Sequence, residues 1–144
     1  MHKFYLSKIK YEKTSEEGKV VKVSEQYLVD ALSFTECEAR IIQEMQPFIS
    51  GEFEVAAIQK KNYSEIVDKY SNMENNKWFE CKLNFIVVDE KGNEKKTPVF
   101  ILVAGDCVSN ANETLIEHMR GSMADYTIEG VKETKIIDVF KYEK

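Results

Sequence analysis

The chain has 144 residues, 43% of them hydrophobic and 31% charged, with a formal net charge of -5. That length and composition suffice for one globular domain burying roughly two-thirds of its unfolded surface, with no need of a metal or disulfide staple. Opposite charges are interspersed, which argues against a basic polyanion-binding tract, and no window approaches the ~20 apolar residues of a membrane-spanning helix.

In chain order, the first segment, MHKFYLSKIK, lacks the continuous apolar core of a signal peptide, so a cytoplasmic location is expected. Phe4 to Tyr11 alternates with period two and predicts a strand; Glu16-Glu17-Gly18 predicts a turn and Val20 to Val29 the return strand. Ser33 and Glu36 form the signature of a capping box, and Phe34, Cys37, Ile41 and Met45 recur at helical spacing, so a helix starts there and stops at Pro47. A strand carrying Phe53, Val55 and Ile58 follows. Asp68 to Lys77, DKYSNMENNK, is polar and predicts a linker.

Beyond the linker the same order returns. Trp78 to Val88 and Val99 to Val103 predict a hairpin around Asp89-Glu90-Lys91-Gly92, whose glycine suits the left-handed position of the turn. A helix follows, with Asp106 or Ser109 as its cap, the stripe Val108, Ala111, Leu115 and Met119, and Gly121 as its C-terminal signal. Tyr126, Ile128 and Val131 then mark a strand, and Lys135 to Phe140 a short strand or irregular arm.

This recurrence has a register. An offset of 74 aligns Lys8 with Lys82, Gly18 with Gly92, Leu28 with Leu102, Val29 with Val103, Ile42 with Ile116 and Met45 with Met119; past the helix the offset is 73. Two long copies indicate a duplicated supersecondary unit rather than a solenoid. The expected fold is α+β: a single domain, 1–144, of two ββαβ repeats, about 4–67 and 78–140, joined by the linker 68–77. The third strand of each lies antiparallel beside the first, with both helices on one face of mostly antiparallel sheet and a pseudo-twofold between the repeats.

The inventory for catalysis is thin. His2 and His118 have no second histidine at a ligand spacing, so no metal or cofactor is expected. The cysteines Cys37, Cys81 and Cys107 read as reduced residues of the core or its margin, and Cys107 matches Ser33, a capping or turn position. Gly105-Asp106-Cys107 lacks the glycines of a phosphate loop, and the pairs Glu36 with Glu38 and Glu113 with Glu117 project from helix faces. The protein is therefore expected not to be an enzyme.

One pattern points to binding. If Tyr5, Ile9 and Tyr11 with Phe79, Leu83 and Phe85 face the helices, the opposite face carries Phe4, Lys8 and Lys10 in the first repeat and Trp78, Lys82 and Asn84 in the second. Such a face is either packed against a sheet, an arm or a subunit, or it is a platform on which rings stack on bases and lysines meet phosphates.

The stretches YLVDALSFTECEARI, ISGEFEV, KKNYSEI, GSMADYTIEGV and ETKIIDVF resemble the signature segments of a family of domain-of-unknown-function proteins of similar length from gut Bacteroidota and their phages. The resemblance covers nearly the whole chain and implies origin; it carries no reaction, cofactor or catalytic residue. Together these readings predict a non-catalytic binding or accessory protein of phage or mobile-element type, acting on a protein or small ligand and able to form a homo-oligomer. Single-stranded nucleic acid is the second expected partner, ranked lower because the net charge opposes phosphate binding.

Overall fold

The computed structural model describes residues 3–72 and 76–141. The expected His2 terminus and part of the expected linker, 73–75, lie outside them. Ten elements follow in order: β1 (Lys3–Thr14), β2 (Val20–Ala31), α1 (Phe34–Met45), β3 (Phe53–Lys61), β4 (Tyr63–Val67), β5 (Lys77–Val88), β6 (Glu94–Gly105), α2 (Val108–Met119), β7 (Asp125–Glu133) and β8 (Ile136–Phe140). The fold is α+β, with two mostly antiparallel sheets and one helix against each.

The element lengths recur as 12, 12, 12, 9 and 5 residues in both halves. The expected ββαβ repeat thus carries a further strand. Where that strand goes is the main topological finding. The sheet orders are β3-β1-β2-β8 and β4-β6-β5-β7, so β4 pairs parallel with β6, and β8 pairs parallel with β2. The compact units are accordingly residues before Tyr63 with those from Lys135 onward (unit 1), and 63–134 (unit 2). The repeats of the sequence and the units of the fold differ by one exchanged strand, and the expected linker runs between β4 and β5 inside unit 2.

Local chemistry explains the hairpins. Gly18 and Gly92 sit at φ 80° and 82°, which L side chains adopt at a cost. Each glycine N–H donates back across its turn, to the carbonyls of Ser15 (2.9 Å) and Asp89 (3.0 Å). The Asp89 carboxylate also accepts from the N–H groups of Lys91 and Asn93 at 2.9 and 2.8 Å.

The third strands lie as expected. β3 and β7 pair antiparallel with β1 and β5, and each is interrupted at the matching place, between the partners of Lys8 and Ile9 and of Lys82 and Leu83. The extra residues are Ala56 and Glu129. A bulge of this kind bends the outer strand and increases its twist locally.

Each core lies between one sheet face and its helix. In unit 1, Tyr5, Ile9, Tyr27, Val29, Cys37, Ile41 and Met45 are buried together; in unit 2, Phe79, Cys81, Leu83, Ile101, Val103, Ala111, Leu115 and Met119 are. The two cores solve one contact differently. Ser7 of β1 meets Cys37 of α1, Oγ to Sγ 3.1 Å, whereas the matching positions hold Cys81 and Ala111, where the larger side chain has moved to the strand.

The helix caps match in place and differ in chemistry. The Ser33 hydroxyl accepts from the N–H of Glu36 at 3.1 Å, as expected of an N-cap. In α2 the cap is neither Asp106 nor Ser109 but Cys107, whose sulfur accepts from the N–H of Asn110 at 3.4 Å. Cys107 is exposed, so only Cys37 and Cys81 of the three cysteines belong to the core.

Just before this cap, Gly105 is needed for close approach. A Cβ there would stand 2.8 Å from Asn110 Oδ1 and 3.3 Å from the Ala111 backbone, whereas one on Gly130 would meet nothing within 4 Å. Gly105→Ala is therefore expected to destabilise the protein by about 1–3 kcal/mol, as overpacking does. Gly130→Ala should stay within about 0.5 kcal/mol in urea unfolding, and equal effects would contradict the packing of α2 on β6.

Candidate functional site

The expected binding residues do point away from the helices. Tyr5, Ile9, Phe79 and Leu83 lie in the two cores, leaving Phe4, Lys8 and Lys10, and Trp78, Lys82 and Asn84, on the other face of their strands. Their surroundings differ sharply between units.

In unit 2 the face is internally tied. The bulge places Glu129 where its carboxylate meets Lys82 Nζ at 2.8 Å and accepts from the Asn84 amide at 3.3 Å. Lys82 holds the Glu129 carboxyl below the usual carboxylate range, with Asn84 adding to the effect. Beside it, Tyr63 of β4 donates to Glu80 at 2.7 Å, and Lys132 reaches the same carboxylate at 3.3 Å. Burial, helped by the Glu80 charge, pushes the Tyr63 hydroxyl far above its ordinary pKa. Trp78 is only 4% exposed, and its carbonyl accepts from the Thr134 hydroxyl at 2.8 Å. Its ring is thus not presented for stacking on a base, and of the two readings of this face the packed one describes Trp78.

In unit 1 the clamp is missing. The residue matching Glu129 is Ala56, and among the described residues Lys8 and Lys10 make no ion pair or hydrogen bond. Lys10 is exposed and lines a groove of about 1000 Å³ with Lys22, Val20, Ser50, Glu52 and Glu54. Around the loop Ser50–Gly51–Glu52 a second groove of about 560 Å³ runs between α1 and β3, floored by Ile42, Ile49, Phe53 and Val55. Sequence reasoning missed both grooves, because they arise from the angle of a loop in which Gly51 takes φ 100°.

The other side chains of chemical interest are buried or engaged in local contacts. His118 contacts Glu65 at 2.9 Å and Lys69 contacts Glu117 at 3.1 Å, so α2 and the β4 segment are joined by two polar contacts. Burial raises the Cys81 thiol to about 11 and also raises Cys37, which keeps both as poorly nucleophilic thiols. No group of three or more histidine, cysteine, aspartate or glutamate side chains suited to a metal occurs among the described residues, and no described helix is long and apolar enough to cross a membrane.

The fold and this face define a two-sheet α+β protein with a tied face in one unit and an open one in the other. Residues 3–142 match the family model of a domain of unknown function, DUF4494, and the chain belongs to that family. No curated protein matches it.

Two measurements check these environments. Of the three thiols, one, Cys107, should react rapidly with Ellman's reagent in the native state and all three after unfolding; rapid native titration of more than one would contradict the buried positions of Cys37 and Cys81. The sole tryptophan should emit in the blue and resist acrylamide, and Trp78→Ala should cost about 3–5 kcal/mol in stability. Emission like that of free tryptophan would contradict its burial.

Proposed function

We propose that the protein is a non-catalytic binding protein that takes a protein or small ligand on unit 1, with unit 2 serving as the scaffold half. The carrying observation is the broken clamp. At matching positions Lys82 and Asn84 are held by the bulge residue Glu129, whereas the bulge residue of unit 1 is Ala56; Lys8 pairs with Ala57, and Glu54, opposite Lys10, makes no ion pair with it among the described residues. An unpaired ammonium held on a rigid strand loses less freedom on meeting a ligand than one on a loop. The grooves beside Lys10 and beside β3 both lie in this unit. In keeping with the resemblance to phage and gut Bacteroidota proteins, the role proposed is that of a cytoplasmic accessory factor of phage or mobile-element type, with homo-oligomerisation compatible with it.

Single-stranded nucleic acid is the second reading, favoured by Phe4 beside two free lysines on a strand face. It ranks lower because Glu12 and Glu54 stand opposite Lys22 and Lys10 in register and the net charge is -5.

The test is an amide-resolved NMR titration of the full chain with a fragment library and, separately, with a short oligothymidine. Fragment-induced shifts are expected to cluster at Lys10 and Gly51 to Glu54, and Ala56→Glu, which rebuilds the carboxylate, should weaken the best fragment at least about fivefold. Shifts centred on unit 2, or spread evenly, would overturn the proposal. Oligothymidine shifting Lys8 and Lys10 with a steep salt dependence would put the nucleic acid reading first.

A further inference from the structure

We propose that the groove between α1 and β3 receives an extended segment of a protein partner that is both apolar and basic, adding to β3 as a short strand. This rests on the reading of unit 1 as the binding half and names the partner class for it. β3 is the outermost strand of its sheet, with β1 on one side only, so its other edge presents backbone N–H and C=O groups. The bulge at Ala56 interrupts regular geometry, leaving Phe53–Val55 as the stretch beside the groove on which a partner strand pairs in register. Such a segment is short, three residues spanning about 10 Å.

The side-chain lining selects what the segment carries. Ile42, Phe53 and Val55 are half-buried and Ile49 is buried, giving an apolar floor for alternate side chains of an added strand. The charged groups lining the groove are Glu38 and Glu52, both carboxylates and both exposed, and no cation among the described residues lines it. Charge complementarity therefore calls for lysine or arginine flanking an apolar residue. Phe48, in the loop leading into the groove, is 76% exposed, an apolar contact left without cover at its margin.

The edge strand and the apolar floor recur in unit 2, with Ile116, Tyr126 and Ile128, and Glu52 is matched by Asp125; the rest of the rim differs. At three matching positions of unit 2, Glu38 is replaced by Asn112, Gln46 by Arg120 and Phe48 by Ser122, so one of the two carboxylates and the aromatic are absent and a cation is present. The acidic and aromatic rim at Glu38 and Phe48 is therefore not required by the common fold.

The experiment pans a random dodecapeptide library on the immobilised full chain, then measures the enriched peptides, fluorescein-labelled, by anisotropy. Enriched peptides are expected to pair basic with apolar residues. The double variant Glu38→Lys/Glu52→Lys, at exposed positions and checked for unchanged thermal unfolding, should weaken them at least tenfold, whereas Arg120→Glu should change binding less than twofold. N-methylation of alternate peptide amides should abolish binding for the register that pairs with β3. Acidic or featureless enrichment, indifference to Glu38 and Glu52, or displacement of the peptide by oligothymidine would overturn the inference. If fragments still map to Lys10 and Gly51 to Glu54 while no peptide binds, the inference falls and the binding role of unit 1 stands; if neither binds unit 1, both fall.

Discussion

The parallel pairing of β4 on β6 and of β8 on β2 is the constraint from which the rest of the architecture follows. β2 and β6 end in YLVDA and FILVAG, where every residue from Tyr27 to Ala31 and from Ile101 to Gly105 is buried. Strands of this kind are buried on both faces, and their backbone groups need a partner on each edge. β1 and β5 supply one edge; the other is supplied by a strand from the other repeat. A single residue, Asn62, separates β3 from β4, so the chain leaves one sheet and enters the next without a loop. Each repeat therefore completes the sheet of the other, and neither repeat, taken as a stretch of sequence, holds all four strands of one unit.

Side chains secure the exchanged strands differently in the two units. In unit 1 the Arg40 guanidinium donates to the Asp30 carbonyl at the end of β2 and to the Lys141 carbonyl just after β8, the latter at 2.8 Å. Tyr27 and Phe140 stack across the same pairing at 5.5 Å between ring centres. In unit 2 the position of Arg40 is taken by Thr114, which turns its hydroxyl onto the Asn110 carbonyl, and the strand is held instead by Tyr63 on Glu80 and His118 on Glu65. The same backbone plan is thus satisfied by unlike polar contacts, which frees positions such as Ala56, Glu38 and Phe48 to diverge from their counterparts. Ion pairs at such exposed positions are each worth only about 0–1 kcal/mol, so a unit without the clamp gives up little stability.

Much of this is legible in the sequence wherever a local rule acts alone. Gly18 and Gly92 between alternating runs mark both hairpins, Ser33 marks the first helix, and the shared phase of apolar residues places the third strand beside the first. The features that pattern reasoning misses are shaped by competing effects. β4 follows β3 so closely that its short YSEIV pattern merges with the strand before it. The first half of β6, EKKTP, is longer than the apolar run suggests, because its Pro98 is tolerated beyond the end of β4, where no neighbour needs its missing N–H. Cysteine is an uncommon helix cap, so sequence preference favours the neighbours Asp106 and Ser109 over Cys107. Of the candidate site, alternation gives the correct face for Phe4, Lys8, Lys10, Trp78, Lys82 and Asn84, but the difference between a clamped and an open lysine depends on the bulge residue, and a bulge leaves no trace in a hydrophobic pattern.

Strand exchange is tested most directly by through-space proton contacts in isotope-labelled protein. The topology places Ile66 beside Leu102 and Val139 beside Leu28, so nuclear Overhauser effects with the pattern of parallel strands should link each of those pairs. Contacts linking Ile66 with Leu28 and Val139 with Leu102 would mean that each repeat keeps its own final strand, and would contradict the account.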